Sequence, residues 1–252
     1  MKRITLLLTA LSIAGLLPPL AAEPHLVFLL GEKEYKTLET VPEFFESELK
    51  PRGYTATFIT APPEEGKRDD FSGLAEALQK ADLCVISVRR RAPAIKDMQA
   101  LKNFVAEGNP IVAIRTSSHA FHLRGKKAPE GRELWEAFDR EILGGNYHGH
   151  YGNELVEISV DPEAKEHPIL KGVEKLPPSD KLYEPRPLTK STTPLLYGNL
   201  PGKNPEPVAW TNRAGEKRAK VFYTSLGQKS DFEDAAFRKF LANAIEWALD
   251  ET

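Results

Sequence analysis

Four of the six histidines fall in two short windows. His119 and His122 stand in TSSHAFH, and His148 and His150 in GGNYHGH. Imidazole titrates near neutral pH, so a convergent set of this kind can supply a general base and a general acid. Neutral imidazole also ligates metals, so a divalent metal fits the residue types. The spacing contains no HExxH, however, and His-x-His in a loop does not by itself define a zinc site. Gly144, Gly145 and Gly149 flank the second window and let the backbone come close to a ligand. His25 and His167 stand alone and read as structural.

Other chemistries leave fewer traces. Ser118 precedes His119, but adjacent residues rarely align for direct proton transfer. Its base would therefore be His148 or His150. There is no GxSxG elbow, and neither GxGxxG nor GxxxxGK[ST] occurs to cradle phosphates. The one cysteine, Cys84, excludes an internal disulfide and a four-cysteine zinc site. It lies in a predicted strand, where burial makes a thiol inert.

The elements that must position these residues are short and regular. HLVFLL (from His25), Tyr54 to Thr60, DLCVISV (from Asp82) and PIVAIR (from Pro110) predict four strands. Continuous apolar runs of this kind suit strands buried on both faces. Between them, Val41, Phe44, Phe45 and Leu49, then Phe71, Leu74 and Leu78, then Ile95, Met98, Leu101 and Val105 mark three amphipathic helices. Such alternation predicts βαβ units in a mostly parallel sheet with helices on both faces. Ligands of such sheets bind beyond the carboxyl ends of the strands. That rule selects Glu32 after the first strand, the triplet Arg89-Arg90-Arg91 after the third, of which one, taken as Arg90, is the candidate to face the crevice, and Ser118 and His119 after the fourth. The other two arginines read as solvated or ion-paired.

The second half is less regular. Leu134 to Leu143 predicts a helix, and Asn153–Val160, Leu195–Asn199, Pro207–Thr211 and Lys220–Thr224 predict strands of a partly antiparallel extension. A last helix carries Phe237, Phe240, Leu241, Ala244, Ile245 and Ala248 on one face, with Ser230 and Glu233 as its capping box.

Composition sets the frame. The 252 residues carry 34 Lys+Arg against 36 Asp+Glu, a balance that argues against a broad nucleic-acid-binding surface. Residues 1–22 read as a secretory signal peptide: Lys2 and Arg3, an apolar run from Ile4 to Leu17, then Pro18, Pro19 and small residues before Glu23. The run is short of the ~20 residues that span a bilayer. The expectation is a single domain over 23–252, periplasmic or secreted, with no membrane attachment after cleavage.

The chain resembles the trehalose-utilisation (ThuA-like) proteins. The matching pieces are LGEKEYKTLETVP, SVRRRAP, IVAIRTSSHAF, LGGNYHGHYGNE, HPILKGV, LYEPRPL, PVAWTN and VFYTSLGQKSDF leading into FRKFLANAIEWAL, in order along nearly the whole mature chain. The resemblance implies a flavodoxin-like, three-layer α/β fold related to class I glutamine amidotransferases. It also implies work on a small-molecule carbohydrate, including oxidised (keto) sugars. Those amidotransferases carry a nucleophilic cysteine after a strand, where this chain has Thr116-Ser117-Ser118-His119, so glutaminase chemistry is not expected. His119, His148 and His150 carry over as catalytic candidates. Glu32, Arg90, Arg115, Ser118, Tyr183 and Gln228 are candidates for substrate binding. Many relatives have histidine at the position of Gln228, and glutamine cannot titrate or readily bind a metal. Three readings stay open: an enzyme using histidine acid/base chemistry on a sugar or 3-keto glycoside, a carbohydrate-binding protein using Tyr35, Tyr147, Tyr151 and Tyr183 as stacking surfaces, and a metal-dependent hydrolase.

Overall fold

The computed structural model describes residues 23–250, apart from 63 and 65. The signal segment at 1–22 lies outside the described residues. In the first half, strands β1 (His25–Gly31), β2 (Thr55–Thr60), β3 (Leu83–Val88) and β4 (Ile111–Ile114) alternate with helices α1 (Thr37–Phe44), α2 (Leu74–Leu78) and α3 (Ile95–Ala106). Helix α1 runs on through a wider turn, Phe45–Leu49, and the chain reverses at Gly53 with φ +86°.

The second half supplies β5 (Gly149–His150), β6 (Leu155–Val160), β7 (Ser179–Asp180), β8 (Tyr183–Glu184), β9 (Thr193–Asn199), β10 (Glu206–Ala214) and β11 (Ala219–Thr224). Helices α4 (Lys229–Glu233) and α5 (Ala235–Leu249) follow. One nine-stranded sheet has the order β2-β1-β3-β4-β11-β10-β9-β6-β7, and β5 and β8 form a separate two-stranded ribbon.

Alternation along each parallel strand divides the core. Leu26, Phe28 and Leu30 face a cluster with α1 and α5, whereas Val27 and Leu29 face a second cluster with α2 and α3. Each fully buried side chain of this type contributes about 1.5–3 kcal/mol relative to exposure. This two-sided burial is why the strands read as unbroken apolar runs. The α5 face is the one expected, with Phe237, Phe240, Leu241, Ala244, Ile245 and Ala248 all buried.

The sheet is mixed, a parallel half with the antiparallel extension expected of the second half: β2, β1, β3, β4 and β11 run parallel, and β10, β9, β6 and β7 are paired antiparallel. Two expectations need correction. The span 134–143 is not a helix. The amides of Glu133 and Trp135 donate to the carbonyls of Pro93 and Phe121 instead of to their own turn, and only Asp139–Leu143 coils. The last helix is two helices, broken at Asp234, whose side chain accepts from the Phe237 amide at 3.0 Å. Its start is held by Asp231 rather than Ser230 and Glu233: the Asp231 carboxylate accepts from the amides of Gly227 (2.7 Å) and Gln228 (3.1 Å).

Gly227 is a position where glycine is required. Its φ is +112°, and a Cβ there would lie 2.5 Å from Cγ2 of Ile114. Backbone strain and overpacking together predict that Gly227→Ala destabilises the protein by about 2–4 kcal/mol. A urea midpoint within error of the parent would contradict this.

Candidate functional site

The site is built where the parallel strands end. After Ile114 the backbone of Arg115 turns left-handed, with φ +50°, and a tight turn carries the chain through Arg115–His119. The hydroxyls that follow are spent on holding that turn. Thr116 Oγ1 donates to the Val88 carbonyl at 3.0 Å, and Ser117 Oγ faces the carbonyls of Ile86 and Ile114, both at 2.8 Å. Ser118 and His119 are thereby presented to a cleft of about 920 Å³. Ser118 Oγ lies 3.2 Å from His119 Nδ1.

The second histidine window enters the same cleft from the β5–β8 ribbon, in which Gly149 pairs with Glu184 and His150 with Tyr183. His148 and His150 are oriented alike. Nδ1 of His148 lies 3.0 Å from the Asn146 carbonyl, and Nδ1 of His150 lies 2.6 Å from the Tyr151 carbonyl. A carbonyl can only accept, so each Nδ1 carries the proton and each Nε2 keeps its lone pair. Nε2 of His148 lies 3.9 Å from Glu184 Oε2.

His119 is of a different kind. It is buried and stacked on Tyr147, with ring centroids 4.5 Å apart. Burial, then the positive charges of Arg90, Arg89 and Arg124, push its pKa down to about 2. It is therefore neutral at any ordinary pH, suited to hydrogen bonding rather than to proton exchange.

Asp139 lines the same cleft and was not singled out by sequence. Its turn is seated on the sheet by Trp210 Nε1, which donates to the Leu143 carbonyl at 2.6 Å, and by Asn212, which donates to the Ile142 carbonyl at 2.8 Å. Asp139 Oδ2 accepts from the Tyr147 amide at 2.6 Å, and Oδ1 is buried without a partner. Burial lifts the carboxyl to about 7, opposed only in part by the Tyr147 amide. The one trace in sequence is Gly145, where a Cβ would meet Asp139 Oδ1 at 2.9 Å and Trp210 at 3.0 Å.

The other candidates separate clearly. Arg90 lines the cleft, with Nη1 3.2 Å from the His122 carbonyl. Its neighbours are engaged elsewhere, Arg89 with Glu34 at 3.0 Å and Arg91 beside Asp69 at 4.0 Å. Glu32 is buried and occupied: it accepts from the amides of Tyr35 and Thr37 and from the Thr37 hydroxyl, at 2.6–2.9 Å. It anchors the start of α1 rather than facing a ligand.

Arg115, Tyr183 and Gln228 form a support beneath the cleft. The Arg115 guanidinium lies 3.9 Å over the Tyr35 ring and donates to the Ser225 carbonyl (2.8 Å) and Asp180 (2.6 Å). The Gln228 amide, with its nitrogen toward Asp180, donates to the same carboxylate at 3.0 Å. Tyr183 is buried, 4.8 Å from the Tyr147 ring. Of the four tyrosines, Tyr147 lines the cleft; Tyr35 and Tyr183 are buried beneath it, and Tyr151 lies under Lys203 at 5.1 Å.

His25 and His167 are structural. The first bridges Thr55 and Thr57, and the second accepts from the Ile169 amide at 3.2 Å. Cys84 is fully buried in β3, and burial pushes its thiol well up. Among the described residues no group of three His, Cys, Asp or Glu side chains is placed to hold a metal ion.

Residues 30–248 match the protein family described as ThuA, trehalose utilisation. A protein from Bacteroides uniformis described as ThuA-like superposes with a TM-score of 0.67 at 16% identity, covering 94% of this chain and 95% of that one. Another from Parabacteroides merdae, also described as ThuA-like, gives a TM-score of 0.63 at 16% identity, covering 90% of each chain. At that identity the likeness is one of fold. No curated protein matches the chain.

Proposed function

Because the chain belongs to the ThuA, trehalose-utilisation family, we propose that it is an exported enzyme that acts on a sugar or glycoside made reactive by a ketone, through acid/base chemistry and without glutaminase activity. The observation that carries this reading is the convergence of both histidine windows, Arg90 and Asp139 on one polar cleft at the ends of the parallel strands. Export rests on the basic and apolar start of the chain. No helix among the described residues is long and apolar enough to cross a membrane.

The chemistry follows from the protonation states. A ketone acidifies the neighbouring C–H bond. His148 Nε2 takes that proton, with the Glu184 carboxylate 3.9 Å away. Neutral His119 donates a hydrogen bond toward the developing enolate oxygen without competing for the proton. For a 3-keto glycoside, the C2–H bond breaks, the C1–C2 double bond forms and the C1–O bond breaks. The departing oxygen takes its proton from Asp139 in its neutral form. With a free keto sugar, passing the neighbouring hydroxyl proton to the enolate oxygen and returning the carbon-bound proton to the former carbonyl carbon gives isomerisation. Burial of Tyr35 and Tyr183 disfavours a purely stacking, non-catalytic binder.

A panel of plain glycosides and their 3-keto counterparts, assayed with and without a chelator, tests the proposal. Turnover of the keto forms alone, with an enone absorbance and no effect of the chelator, is the expected result. Equal turnover of the plain glycosides, or loss of activity on chelation, would overturn it.

A further inference from the structure

The cleft carries more positive charge than a neutral sugar requires. Arg90, Arg124 and Arg140 all line it, and among the described residues none of the three is ion-paired to a carboxylate. This contrasts with Arg89 and Arg91, which sit beside Arg90 in sequence and both face acids. The acids in the cleft do not balance the three guanidiniums. Glu136 is on the exposed rim, and Asp139 is buried, where low polarity disfavours its charge. Glu184 stands at His148, 3.9 Å away.

The backbone holds these charges in place. Arg90 has φ +52° and Arg124 φ +54°, left-handed conformations that are uncommon outside glycine. Such strain of about 1–3 kcal/mol persists where surrounding structure imposes it, and it concentrates at ligand sites. His122 ties the two together: its Nδ1 accepts from the Arg124 amide at 3.2 Å and lies 3.4 Å from Arg90 Nη1. The buried Nε of Arg90 has no partner. His122 therefore ties the Arg90 guanidinium to the Arg124 backbone, and the like charges of two arginines lining one cleft repel one another unless an anion joins them.

We propose that the cleft selects a sugar bearing an anionic oxygen group, a carboxylate or a phosphate ester, received by Arg90 and Arg124. This rests on the carbohydrate reading above and names the class of sugar. Guanidinium forks pair with both groups in bidentate geometry, and the field of the cleft draws such a ligand in.

Calorimetry on the protein with glucose, glucuronate, glucose 6-phosphate and inorganic phosphate tests it. Glucuronate or glucose 6-phosphate should bind about tenfold or more tightly than glucose. Which of the two binds better assigns the group. The preference should shrink with added salt and vanish in the Arg90→Gln/Arg124→Gln double variant, whose melting curve checks the fold, while Arg90→Lys should retain part of it. Glucose binding as tightly as the anionic sugars would overturn the anion preference and leave the carbohydrate reading standing. Phosphate binding with none of the sugars would overturn the proposal of an anionic sugar, and the keto-glycoside panel would still decide the carbohydrate reading. Anionic sugars binding equally to the double variant would place the anion away from these arginines and overturn the proposal. Binding of none of the four would overturn the proposal.

Discussion

Replacing His148 by alanine should lower turnover of the keto substrate by roughly 10²–10⁴-fold, the usual contribution of a positioned general base. The same change should alter folding stability by less than about 0.5 kcal/mol, because the side chain is more than half exposed. Its contacts to the Asn146 carbonyl and Glu184 are at the surface, where water replaces them. The two effects therefore come apart, which a merely structural histidine would not allow. His119→Gln is the informative comparison. Glutamine keeps a donor and an acceptor against Ser118, and His119 is already held neutral by burial and the surrounding arginines. That variant should lose part of its rate and keep the shape of its pH profile. Turnover by His148→Ala within tenfold of the parent would remove this histidine from the role of base.

The sequence made the parallel half legible for a physical reason. A strand buried on both faces must be apolar at every position, so β1 and β3 announce themselves in HLVFLL and DLCVISV. Strand β10 was harder to read. It extends to Ala214, beyond the predicted end at Thr211, because Asn212 continues it. A polar residue there is tolerated because Asn212 donates to the Ile142 carbonyl and accepts from Ser191. Partners of that kind are tertiary and leave no local pattern. The same distinction runs through the site. The two histidine windows could be found because their residue type and their place after a strand or among glycines are local facts. Arg115, Tyr183 and Gln228 are candidates through the family resemblance, but their partners, Ser225, Asp180, Tyr35 and Tyr147, turn them into a support rather than a binding surface. Glu32 could not be told from a ligand-binding acid until Thr37 and the Tyr35 amide were seen to occupy it. Asp139 lay hidden because an acid between Phe138 and Arg140 reads as solvated, and its burial depends on packing beneath Gly145 and Trp210.

That burial makes Asp139 the source of the largest thermodynamic effect expected here. Its carboxyl stands at about 7 in the folded protein against an ordinary value of 3.8. Between those pH values the native state holds a proton that the unfolded chain has released, so stability falls as pH rises. The contribution is fully present below about pH 4 and is lost as pH climbs through about 7, a change on the order of 4 kcal/mol. Asparagine cannot titrate, and its oxygen can still accept from the Tyr147 amide. Urea denaturation of Asp139→Asn and the parent should therefore diverge with pH, with the variant gaining on the parent by that amount between pH 4 and pH 8. Two curves that stay parallel across this range would mean that the carboxyl ionises normally and is no acid at neutral pH. Catalysis should move the opposite way. If neutral Asp139 protonates the departing oxygen, the parent's rate should fall above about pH 7 and the variant's turnover should drop by roughly 10²–10⁴-fold at pH 7. A variant that is more stable than its parent at pH 8, yet slower, marks a group whose burial is retained for function at the expense of stability. A purely structural aspartate would lose both together.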